Sequence, residues 1–133
     1  MNENRLQFLI ITAEENYAHA RDHEYLRAQI TSILVAAAFV LIGLAIGNEI
    51  SNEILIFISL LTISIGLINL WLNKLHTNRF KRHVEIARKA KTRIFFLRIP
   101  SKIKKSGNLY YSWQIVACLP IVGGISLLLL KYC

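Results

Sequence analysis

Three stretches of this chain carry no charged residue: Ala28 to Asn48 over 21 residues, Ile54 to Asn73 over 20, and Ser106 to Leu130 over 25. A helix rises about 1.5 Å per residue, so about 20 residues cross a hydrocarbon layer roughly 30 Å thick. Each stretch is long enough. Concentrated in this way, the apolar side chains do not supply one water-soluble core. The composition agrees, since 54% hydrophobic residues and a mean hydropathy of +0.43 exceed what a soluble domain ordinarily carries. The expectation is an all-α membrane protein with three transmembrane helices.

Charge sets the expected threading. Asn73 to Lys105 holds twelve of the sixteen lysines and arginines and one acid, Glu85, whereas residues 48–53 between the first two stretches hold Glu49 and Glu53 and no base. Cytoplasmic loops carry the Lys/Arg excess. The basic block is therefore expected inside and the 48–53 loop outside, in the bacterial inner (cytoplasmic) membrane, with the N-terminus inside and the C-terminus outside. The first residues lack the basic n-region of a cleaved signal peptide and place Glu14 and Glu15 after a short apolar run. Cys118 and Cys133, the two cysteines, make no disulfide framework.

The expected organisation has four parts. Residues 1–27 form an acidic cytoplasmic helix continuous with the first span, and 28–73 form a transmembrane hairpin. Residues 74–105 form a basic cytoplasmic helix and turn, and 106–133 the third span with an external C-terminus. Leu6, Leu9 or Ile10, Ala13, Tyr17 and Ala20 recur at helical spacing, as do Leu75, Phe80, Val84, Ala87 and Ile94, and Pro100 is the first breaker after the second stripe. Folded about Ser51, the two arms make a cytoplasmic two-helix stalk. That register sets Glu14 and Glu15 opposite Arg88 and Lys89, and Asp22 and Glu24 near Arg79 and Lys81.

No constellation for catalysis is visible, and an enzyme is not expected. His19 and His23 stand at i, i+4 on one helical face, and the hairpin register places His83 opposite His19. Whether the three converge is left open, and no metal, cofactor or catalytic residue is assigned. The basic residues Arg79, Lys81, Arg82, Arg88, Lys89, Lys91, Arg93 and Arg98 suit anionic lipid headgroups or a soluble cytoplasmic regulator. Nucleic acid is disfavoured, because no recognition motif accompanies the charge. Within the spans, Ala28, Ser32 and Ala36 form a ladder of small residues, Gly43 and Gly47 a GxxxG, and Asn69 a group able to hydrogen-bond between helices. These six are the expected helix-packing and homo-oligomer contacts.

The run AEENYAHARDHEYLRAQITSILVAAAFVLIGLAIG, with the second span and the basic helix to about Arg98, resembles the SLATT class of small bacterial membrane proteins. The likeness lies in layout and in the Tyr/Arg-rich segment before the first span, with Tyr17, Arg21, Tyr25 and Arg27. The third span, Ser112 to Leu130, departs from the two-span core of that class. The resemblance implies a membrane effector of antiviral defence that forms pores or depolarises the membrane when a partner senses infection. The expected function is thus a self-associating inner-membrane protein acting as a pore-forming or membrane-disrupting effector. Two alternatives stay open: a non-pore scaffold that docks a soluble partner or anionic lipid through the basic helix, and a holin-like lysis protein.

Overall fold

The structure, a computed structural model, describes residues 3–47, 50–95 and 108–130, and the side chains of 3–47, 50–94 and 112–130. These residues form three helices, α1 (Glu3–Gly47), α2 (Asn52–Phe95) and α3 (Asn108–Leu130). Arg98, the Pro100 helix stop, the turn through Lys105, Asn48 and Glu49 of the outer loop, and the terminus from Lys131 to Cys133 lie outside the described residues.

The lengths follow from the breakers. No Gly or Pro occurs between Glu3 and Ile42, and α2 contains no Pro and only Gly66, so nothing local stops either helix for more than forty residues. Ser51 starts α2 as its N-cap. Its carbonyl accepts the first intrahelical bond from the Leu55 N–H at 3.0 Å, and its hydroxyl accepts from the Ile54 N–H at 3.4 Å. Glu53 in the first turn of α2 adds a favourable charge at the positive end of the helix dipole. All three helices are long and apolar enough to cross a membrane, which suggests a membrane protein.

Contacts divide the chain into two compact units. One comprises Met1–Leu26 with Leu75–Ser106, and the other Arg27–Lys74 with Gly107–Cys133.

The second unit packs three helical segments. Its polarity is inverted relative to a soluble bundle: Thr31, Ser59, Thr62, Asn69 and Asn73 are buried, whereas Phe39, Phe57, Leu67, Trp71 and Ile115 are more than half exposed. In water such a surface is costly; against lipid tails it is not, and small or weakly polar residues are what close helix packing uses. The buried hydroxyls of Ser59 and Thr62 need no partner on another helix. Ser59 donates to the Leu55 carbonyl at 2.7 Å and Thr62 to that of Ile58 at 2.8 Å.

Glycines seat α3 in this unit. A Cβ on Gly124 would stand 2.6 Å from Ile63 Cγ1 and 2.9 Å from the Ser59 carbonyl oxygen, and one on Gly66 would stand 2.5 Å from Ile121 Cγ1. On the α1 side, a Cβ on Gly123 would collide with Ile42 Cδ1. Further along, the Asn73 amide donates to the Trp113 carbonyl at 3.1 Å. The partners along α2 descend as those along α3 rise, so these two helices are antiparallel.

The first unit is an antiparallel helix pair built on alanine. Ala13 and Ala20 of α1 and Ala87 and Ala90 of α2 are buried, and small side chains at a contact let helix axes approach closely. The two apolar stripes read from the sequence turn inward, and of Leu9 and Ile10 it is Leu9 that does so.

Candidate functional site

All four histidines of the chain meet in the helix pair. The His83 ring lies 5.3 Å from His19 and 5.4 Å from His23, centroid to centroid, and His23 lies 5.6 Å from His76. The order is a ladder, His19–His83–His23–His76, alternating between α1 and α2. The i, i+4 spacing puts His19 and His23 on one face of α1. On α2, His76 and His83 are seven residues apart, two helical turns, and so share a face.

One tautomer can be assigned from the hydrogen bonds. The Asn16 amide nitrogen donates to the Thr12 carbonyl at 2.8 Å, which leaves its oxygen to accept. That oxygen stands 2.9 Å from His83 Nδ1, so Nδ1 of His83 carries the proton. His23 differs: its Nδ1 is buried with no hydrogen-bond partner. Burial, then the rings of His76 and His83, the Arg79 guanidinium and His19, hold the His23 imidazole below its ordinary pKa of 6.5. Among the described residues no group of three or more His, Cys, Asp or Glu is arranged to hold a metal ion. At this seam burial and its neighbours therefore oppose a charge on His23.

The basic residues form an outer surface of the same pair. Arg79, Lys81, Arg82, Arg88, Lys89, Lys91 and Arg93 are all exposed. The sequence register expected Glu14 and Glu15 to pair with Arg88 and Lys89 across the helices. Instead, both acids are exposed and make no ion pair among the described residues. Lys89 turns to its own helix, donating to Glu85 at 2.8 Å, and this holds the Glu85 carboxyl below its usual range. The reason is geometric. Alanines and histidines fill the seam at this level, which leaves Glu14, Glu15, Arg88 and Lys89 on the rims, facing outward.

The small residues of the spans divide by face. A Cβ on Gly43 or Gly47 would meet nothing within 4 Å, and Ser32 and Ala36 are exposed with Ala28 half-buried. Asn69 is fully buried in the three-helix unit, and neither atom of its amide has a hydrogen-bond partner there. At the edge of the same unit Arg27 is buried at 4% exposure, with its guanidinium 5.8 Å from the Trp113 ring centroid, a cation–π contact.

Sequence reasoning gave His76 no place and Arg27 no role in a site. Both were legible. The series that starts at Leu55 and steps alternately four and three residues passes through Asn69, Asn73, His76, Phe80 and His83 to Ile94 and contains no exposed residue; this is the 3.5-residue repeat of a coiled-coil seam. A matching series on α1 runs through Ala13, Tyr17, Ala20, Glu24, Arg27 and Thr31. Set against protein-family models, curated proteins and solved structures, the chain matches none of them.

Proposed function

We propose that this protein is a self-associating inner-membrane protein that acts as a pore-forming or membrane-disrupting effector, controlled through a cytoplasmic stalk made by the helix pair. The observation that carries the reading is the division of the glycines. Gly66, Gly123 and Gly124 are used up in packing one chain, whereas Gly43 and Gly47 face outward with open space at their Cβ positions. A GxxxG face left free in one copy is suited to close approach by another. The polar side chains inside the three-helix unit are fully buried, so a conducting path in this reading runs between copies. The basic block supports an orientation with both arms and the N-terminus inside. With no family model matched, a role in antiviral defence rests on the SLATT-like layout alone.

The exposed basic face of α2 favours a second reading, a scaffold subunit docking a soluble partner or anionic lipid. Membrane potential after induced expression in bacteria separates the two. A collapse relieved by Gly43→Leu/Gly47→Leu is the expected result. A potential unchanged by inserted wild-type protein, with and without challenge by infection, refutes the effector reading and leaves the scaffold.

A further inference from the structure

Two helices cannot close a core around themselves, and this pair leaves a groove along one side. Its floor is Tyr17, Ala18 and Ala20 of α1 with Phe80 and Val84 of α2. Phe80 and Val84 also line an adjoining groove on the flank of α2. The rims carry opposite charge. Glu14, Glu15 and Arg21 stand on the α1 side, the two acids without an ion pair among the described residues, and Lys81, Glu85, Arg88, Lys89 and Arg93 stand on the α2 side, where Lys89 is paired with Glu85. From Glu3 to Leu26, α1 carries five acids and two bases; from Leu75 to Phe95, α2 carries seven bases and one acid.

We infer that this groove is a two-fold interface with a second copy of the same chain, in which the acidic rim of each copy seats against the basic rim of the other. Copies inserted in one membrane with the same topology run parallel, so a two-fold axis relating them lies along the helices. Rotation about that axis brings α1 of one copy beside α2 of the other at the same level, twice. The level is set by the histidine ladder. The His83 ring reaches Asn16, His19 and His23, which centres it about level with His19, and five steps back along α1 and five forward along α2 bring Glu14 level with Arg88. One step gives Ala18 level with Val84. Each Glu14 thus meets the Arg88 that its own helix pair leaves out of reach. The result is a square of four helices, antiparallel along every edge, with a net acidic α1 segment beside a net basic α2 segment at each edge, Arg21 level with Lys81 being the like-charged exception. Tyr17, Phe80 and Val84 are half-buried in one copy; in the pair of copies they become core.

This interface deepens the self-association reading and rests on it, but it is tested without reference to conductance. In a background lacking Cys118 and Cys133, one chain carries Ala18→Cys and a second carries Val84→Cys. Neither chain alone holds the facing pair, so their mixed disulfide reports only contact between copies. The full-length chains are co-reconstituted in phosphatidylcholine vesicles, where no lipid charge competes. The expected result is a mixed disulfide whose yield falls about tenfold when the Ala18→Cys chain also carries Glu14→Lys/Glu15→Lys. The yield returns when the Val84→Cys chain then carries Arg88→Glu/Lys89→Glu. That return also shows that the charge-reversed chains fold. No mixed disulfide with the native charges, or a yield indifferent to both reversals, overturns the proposal. So does protection of the α2 flank only when phosphatidylglycerol is added, since lipid is then the occupant. Conductance without the disulfide sinks this interface alone; the disulfide without conductance upholds the interface whatever becomes of the pore.

Discussion

Gly124→Ala is the substitution whose effect the structure specifies most closely. A methyl group there would stand 2.6 Å from Ile63 Cγ1, 2.9 Å from the Ser59 carbonyl oxygen and 3.1 Å from the Ile63 amide nitrogen. The isoleucine side chain can rotate away, but the two backbone atoms belong to α2 and move only with it. An ordinary contact needs roughly half an ångström more than the Ser59 oxygen allows, so α3 must shift outward by about that distance. A gap of about 0.5–1 Å forfeits a quarter to a half of each contact's dispersion well, and overpacking of this kind costs about 1–3 kcal/mol. At about tenfold per 1.4 kcal/mol, the folded-to-unfolded ratio falls by one to two orders of magnitude. The control is Gly43→Ala, where a Cβ meets nothing within 4 Å and packing within the chain is unchanged. Reversible unfolding in bicelles, followed by Trp113 fluorescence in a Trp71→Phe background, reads both variants at a concentration that keeps the chain monomeric. Equal stabilities for the two, or a Gly124→Ala protein as stable as wild type, would refute the packing of α3 against α2.

Three further outcomes are expected. Asn69→Leu raises the stability of the monomer in the same assay by about 1 kcal/mol, because it removes a buried amide with neither atom bonded; a loss of stability instead shows that the amide has a partner. Acidification loosens the helix pair. The pKa of His23 in the folded state is lowered, so the folded state binds fewer protons than the unfolded one as pH falls below about 6.5, and its stability is full above that value and declines below it. Amide protection factors, corrected for the intrinsic exchange rate, across residues 13–24 should be lower at pH 5.5 than at 7.5 and change less in His23→Gln; equal protection factors at both values remove the ladder's pH role. Alkaline phosphatase joined after Cys133 should be active and the same fusion at the N-terminus inactive, as the N-in, C-out threading requires; the reverse pattern disproves it.

The reach of sequence reasoning is clear at particular residues. Helix extents were legible because they depend on local quantities: runs without charge, the absence of Gly and Pro up to Ile42, and a capping serine at Ser51. The inward stripes of the two arms were legible because those arms alternate apolar with charged residues, and period then reveals the face. Inside the spans that signal vanishes. Lipid and protein interior are both apolar, so nothing in the pattern says whether Gly47 or Gly124 meets a helix. The positions of their neighbours decide it, and the two glycines have opposite surroundings. The histidines show the same limit. Sequence spacing aligned His19 with His23 and brought His83 opposite His19, yet the four-ring ladder with His76 depends on a register correct to within about one residue. A helix turns by about 100° per residue, so an error of one step points an imidazole away from the seam. That angle is set where the alanines of the two helices pack together. Sequence therefore determined where the helices run and which segments suit a membrane, and only the tertiary structure decided which faces meet, because a face is a property of two helices at once.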